Sequence, residues 1–178
     1  EEKTADVNLG FFLASSSPAD VLSMIPSSIV KKDAKFTAKG EASLAGRIKG
    51  IYGQGKLPSL EAKLDIEKAS AHYKGKKNGI EELTLRMNCL IDFEKKNESF
   101  VNVEKFFFRG GLNNQLDMSA TIKNALSNPK ISFNTDCRIN FESIGEIFPL
   151  QEGVSFKGSN TTVLKGGFTM KDIKRGDY

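Results

Sequence analysis

From Leu60 to Glu67 the chain alternates apolar and charged residues without a break, Leu60, Ala62, Leu64 and Ile66 against Glu61, Lys63, Asp65 and Glu67. A period of two belongs to an extended strand, whose successive side chains point to opposite faces, and it fits no face of a helix. The pattern returns along most of the sequence. Phe36, Ala38, Ala42, Leu44 and Ile48 share one face, with Gly40 and Gly46 interposed. Leu83, Leu85, Met87, Cys89, Ile91 and Phe93 oppose Thr84, Arg86, Asn88 and Asp92. Val101, Val103, Phe106 and Phe108 follow, then Leu112, Leu116, Met118, Ala120 and Ile122, then Ile131, Phe133, Cys137, Ile139 and Phe141. After Glu67 the phase slips by one, continuing through Ala69, Ala71 and Tyr73, which predicts a β-bulge.

Polar and glycine-rich breaks separate these runs: Gly75 to Gly79, Lys95 to Glu98, Gly110-Gly111 and Ser127-Asn128-Pro129. Such breaks predict turns. The runs are about twice the mean strand length of ~5–6 residues. Long strands joined by short turns predict a mainly β fold, a long antiparallel meander forming a curved sheet or a half-open sandwich, with one or two short helices.

Helical signal is confined to two segments. Ser17 to Ile25 has a cap-like Ser, Pro18 in the first turn and apolar residues at helical spacing, and Ser143 to Phe148 is a shorter version. A shift of 123 positions superposes Pro26 on Pro149, Ile25 on Phe148, Met24 on Ile147 and Val21 on Ile144. Each segment sits between β runs, Val7 to Leu13 and Phe36 to Ile48 in one case, Ile131 to Phe141 and Val163 to Met170 in the other. The pairing reads either as a diverged strand–helix–strand unit occurring twice, at about 5–50 and 130–172, or as chance similarity of two short apolar segments.

The 178 residues suit a single β-rich segment, and the chain begins Glu-Glu-Lys and stops at Lys174-Arg175-Gly176-Asp177-Tyr178, which reads as a piece of a longer protein. The net charge is +4, with Lys and Arg scattered among Asp and Glu rather than clustered, so no nucleic-acid partner is expected. Cys89 and Cys137 form no CxxC or Cys/His cluster, and no metal site is expected. Both occupy apolar strand positions, where they read as small buried hydrophobes, with a disulfide between neighbouring strands as the other reading. The single histidine, His72, has no nucleophile motif beside it, and no nucleophile-elbow, phosphate-loop or metalloprotease pattern occurs. The expectation is a protein that is not an enzyme and uses no cofactor.

What remains is the dry face. Its expected members, whether lipid-facing or core, are Leu60, Leu64, Ile66, Leu83, Leu85, Met87, Ile91, Phe93, Phe106, Phe108, Leu116, Met118, Ile131, Phe133 and Ile139. Too few helices are present to cover such a sheet. Either the sheet folds over as a sandwich, or its apolar side is an elongated groove for acyl chains.

The run Gly40-Glu41-Ala42-Ser43-Leu44-Ala45-Gly46-Arg47-Ile48-Lys49-Gly50 resembles the AsmA-like family of Gram-negative envelope proteins, together with Leu57-Pro58-Ser59-Leu60-Glu61-Ala62-Lys63-Leu64-Asp65-Ile66. Ala69-Ser70-Ala71-His72-Tyr73 and Asn78-Gly79-Ile80-Glu81-Glu82-Leu83 continue in the style of the family's C-terminal region, and the likeness covers most of the chain. The resemblance implies a periplasmic segment of a parent protein anchored in the inner membrane by an N-terminal helix. It also implies a role in lipid transport or outer-membrane biogenesis, with phospholipid or another envelope lipid and neighbouring repeats of the parent chain as partners, and it implies no catalytic residues. A structural or protein-binding β-module in envelope assembly is the competing expectation.

Overall fold

The computed structural model describes residues 4–15, 17–18, 36–148 and 153–175. Its strands are β1 (Ala5–Ser15), β2 (Phe36–Tyr52), β3 (Ser59–Tyr73), β4 (Ile80–Ile91), β5 (Phe100–Gly110), β6 (Asn114–Lys123), β7 (Lys130–Asn140) and β8 (Ser159–Thr169). Helix α1 (Phe141–Ile147) follows β7, and α2 (Met170–Arg175) follows β8. All eight strands form one sheet in the order of the chain, each antiparallel to the next. The sheet is open and curved. Of the two architectures expected, the structure has the curved sheet. No second layer of strands lies against it among the described residues.

Register fixes the faces, because directly opposite residues of an antiparallel pair share a side. Leu13 pairs with Leu44, Leu44 with Leu64, Leu64 with Met87, and Met87 with Val103. Val103 then pairs with Ala120, Ala120 with Phe133, and Phe133 with Gly166. This apolar row crosses the whole sheet. The row behind it on the opposite face includes Lys63, Asn88, Asn102, Thr121 and Ser132.

Two bulges keep the faces apart. Lys68, with φ of 45°, is the extra residue of β3, and the register against β2 shifts there between Lys39 and Glu41. Ile66 pairs with Leu85 and Ala69 with Leu83, so the apolar phase is restored beyond the bulge. The slip expected after Glu67 therefore lies where the alternation breaks. Gly40 stands opposite, and a Cβ there would fall 2.6 Å from the Ala69 Cα, so only glycine fits the crowded side of the bulge. A second irregularity, between Val103 and Phe106 in β5, carries the phase from odd to even positions.

The densest packing is small. Ala42, Ile66 and Ala69 are buried, with Leu13, Leu44, Leu64, Leu83 and Leu85 against them.

Three positions at strand ends need correction. Phe93 lies beyond the end of β4 and is 40% exposed. The Asp92 carboxylate accepts the Glu94 and Lys95 N–H groups, and this turn ends the strand before the alternation runs out. Leu112 sits in the β5–β6 turn rather than on the strand face, and Phe141 opens α1 instead of closing β7. Cys89 on β4 and Cys137 on β7 are free thiols with β5 and β6 between them. Three strand spacings of ~4.8 Å put their backbones ~14 Å apart, beyond the ~7 Å a disulfide can span.

The helix expected over Ser17 to Ile25 lies outside the described residues from Ala19 onward, while the strands flanking it in the expected repeat are β1 and β2. Its counterpart is α1, which starts two residues before Ser143 because Asn140 caps it, accepting the Glu142 and Ser143 N–H groups.

Candidate functional site

Every expected face residue except Phe93 falls on one side of the sheet. Leu60 pairs with Ile91, Ile66 with Leu85, Leu85 with Phe106, and Phe106 with Met118. Leu83 pairs with Phe108 and Phe108 with Leu116, while Leu116 leads through Cys137 to the side that carries Ile131, Phe133 and Ile139. Leu64, Met87, Phe108 and Ile139, drawn from four strands, thus face the same way. The sheet adds members that the short list of expected positions omitted, namely Val101, Val103, Leu164 and Phe168. The last two carry the same alternation in β8 and were open to the same reading.

From β1 to β8 no charged residue interrupts this face. Seven strand spacings of ~4.8 Å and about ten residues at ~3.3 Å give it a footprint on the order of 1,000 Å². The largest apolar patch of an ordinary monomer is ~300–600 Å². Most of its side chains are half-buried, because they pack only on their neighbours within the sheet. Ile66 and Phe108 are 4% and 8% exposed, the first in the small cluster and the second beneath α1.

Helix α1 lies across one end of the face. Ile147 is fully buried there, and the Phe148 ring is stacked on Phe108 with centroids 6.1 Å apart and meets Tyr73 edge-on at 5.9 Å. Polar bonds pin the helix to the β3–β4 turn and to the start of β6. Asn78 donates its N–H to the Glu146 carbonyl at 3.1 Å and its side-chain amide to the Glu146 carboxylate at 2.5 Å. Lys76 donates to the Gly145 carbonyl at 2.9 Å. Asn114, wholly buried, donates to Ser143 Oγ and accepts the Asn140 N–H at 2.7 Å. Among the described residues no buried side-chain polar atom is left without a partner. Sequence reasoning missed Asn114 and Phe148, since one looks like turn polarity and the other like the tail of a helix.

The opposite face is polar and wet. Arg86 pairs with Glu67 at 2.5 Å and Lys105 with Asp117 at 2.7 Å, both exposed. The bond to Glu67 raises the Arg86 pKa further above its usual value, so the guanidinium stays charged at any working pH. Pairs this exposed contribute little to stability. His72 lies on this face, exposed. No group of His, Cys, Asp and Glu among the described residues could hold a metal ion, and no described helix is long and apolar enough to cross a membrane. On the dry face the Cys89 thiol is pushed up by burial, partly offset by a hydrogen bond with the Ala62 backbone.

The dry face is a surface rather than a cleft. It offers area: a single-layer apolar surface, walled at one end, on which chain-like apolar molecules can lie. The chain matches no family model, no curated protein and no solved structure.

Proposed function

We propose that this chain is a non-enzymatic segment of an AsmA-like cell-envelope protein that carries lipid acyl chains along its apolar sheet face. The single observation behind this reading is that face: uncharged from edge to edge, larger than a monomer's usual patch, and without a second layer of strands over it among the described residues. Burying apolar area is favourable at ~25 cal/mol per Å², so an acyl chain laid on it gains from every methylene removed from water. A lipid tail spans about half of the ~30 Å hydrocarbon core of a bilayer, and the face is longer than that in either direction. The envelope setting rests on the resemblance carried by Gly40 to Gly50, Leu57 to Ile66 and Ala69 to Tyr73. In this reading the segment works in the periplasm, with a parent chain anchored by an N-terminal helix and phospholipid or another envelope lipid as cargo.

The test is photocrosslinking from the row Leu85, Phe106 and Met118, with Asn88, Asn102 and Thr121 of the polar face as the control row. In cells, lipid adducts should form from the first row and not from the second. Equal labelling of both rows, or purified protein free of extractable lipid with no adducts at all, would overturn the proposal.

A further inference from the structure

Among the described residues, the two end strands of the sheet differ from its interior. Interior strands carry charges on the wet face, whereas β1 and β8 place their most exposed hydrophobic residues there: Phe12 is 74% and Val163 75% exposed. On the dry face, Leu9 and Leu164 are 55% and 51% exposed. Natural sheets blunt their edges with short strands, bulges, proline or rows of lysine, because unpaired N–H and C=O groups template another strand. Neither edge here uses these devices. Each is 11 residues long and unbroken in register against its one neighbour. Neither contains proline, and each carries a single charge, Asp6 on β1 and Lys165 on β8.

We infer that β8 of one copy of this chain pairs with β1 of a second copy, antiparallel, with Phe12 opposite Val163. The two strands run in opposite directions within one sheet, so a second copy placed edge to edge continues the meander. To keep dry face with dry face, an odd residue of β1 must oppose an even residue of β8. The Phe12–Val163 register satisfies this and overlaps the strands from Asp6 against Thr169 to Ala14 against Thr161. On the dry face it sets Val7 against Phe168 and Phe11 against Leu164, extending the apolar rows. Asp6 and Lys165 face Thr169 and Gly10, so no like charges meet. The contact is head to tail, so it propagates into rings or filaments rather than stopping at a symmetric dimer. This inference stands apart from the lipid reading, and either can fail alone.

The experiment uses a Cys89→Ala/Cys137→Ala background, in which Phe12→Cys and Val163→Cys are made as separate proteins. Opposite residues of an antiparallel pair have Cβ atoms ~4.5–5.5 Å apart, so mild oxidation of the mixture should give a cross-linked heterodimer well in excess of either homodimer. Unmodified protein should sediment faster as its concentration rises, and Phe12→Lys/Val163→Lys should remain monomeric with an unchanged far-UV spectrum. If the double variant loses β structure, Phe12→Lys alone decides. Sedimentation as a monomer at every concentration, association that survives the lysines, or prevailing homodimer cross-links would each overturn the inference.

Discussion

Asn114 and Ser143 are joined side chain to side chain at 2.5 Å, and neither is reached by solvent. One opens β6 and the other lies in α1, so this bond fastens the helix to the sheet beneath it. Asn114 also accepts the Asn140 N–H. Asn114→Ala leaves that donor buried and unpaired, which costs ~1–3 kcal/mol for a buried polar group. A urea melt should show the loss, and hydrogen exchange should quicken in α1 before it does in β3 or β4. Ser143→Ala takes the acceptor from the buried Asn114 amide and a donor from the Asn140 carbonyl, so it should destabilise by a similar ~1–3 kcal/mol. An Asn114→Ala variant as stable as the wild type would mean that Asn114 does not organise this end.

The bulge in β3 makes a second prediction with opposite signs on its two sides. Lys68 holds a φ of 45°, a left-handed conformation that costs a residue with a Cβ roughly 1–2 kcal/mol. Lys68→Gly should raise stability by up to ~1 kcal/mol, after the added unfolded-state entropy of glycine is subtracted. Gly40→Ala should lower stability by ~2 kcal/mol or more, since its Cβ meets the Ala69 backbone and its φ of 127° disfavours side chains. Deleting Lys68 lets Ala69 follow Glu67 in unbroken alternation, so the bulge closes while Ala69, Ala71 and Tyr73 keep the dry face. Near-UV circular dichroism should keep the signal of the Tyr73–Phe148 contact in that deletion.

These examples show what alternation in a sequence conveys. Period two assigns residues to faces, and a slip in the period marks a bulge, so the membership of the dry face could be read from Leu60 to Ile139 without coordinates. The pattern is silent on what covers a face. Sandwich and open sheet share one alternation, and the choice depends on how strands curve and where their ends lie. Strand ends were blurred for the same reason. Phe93 keeps the beat of β4, but the Asp92 carboxylate turns the chain first. The docking of α1 was illegible because it depends on Asn114 at the start of β6 and Asn78 in a turn, two polar residues meeting a helix 29 and 68 positions away.

Packing on the face should grade from centre to edge. Ile66 is 4% exposed inside the small cluster formed with Ala42 and Ala69, whereas Leu164 on β8 is 51% exposed. Ile66→Ala should cost ~2–4 kcal/mol, because neighbours cannot collapse fully into the space. Leu164→Ala should stay within ~1 kcal/mol, since only part of its area leaves water on folding. Chemical denaturation of the two variants checks this directly. If both cost the same, the sheet is covered from edge to edge in solution, and the open face is not its working state.

Cys89 supplies a probe of the same surface. Burial favours its neutral thiol, so its folded pKa lies above that of a free cysteine, ~8.5. The sign follows from linkage. An acid whose pKa is raised on folding contributes its stability in full below the unfolded pKa, and that contribution falls as pH rises through the folded value. Stability should therefore decline above about pH 8.5 in the wild type, and the decline should be smaller in Cys89→Ala. Alkylation should be slower than for an exposed thiol at the same pH, because the thiolate is the attacking form. Acyl chains lying along the row Ala62, Cys89 and Val101 would cover the sulfur and slow it further. Adding phospholipid vesicles should then protect Cys89 from iodoacetamide, and unchanged labelling would place any bound lipid away from this row.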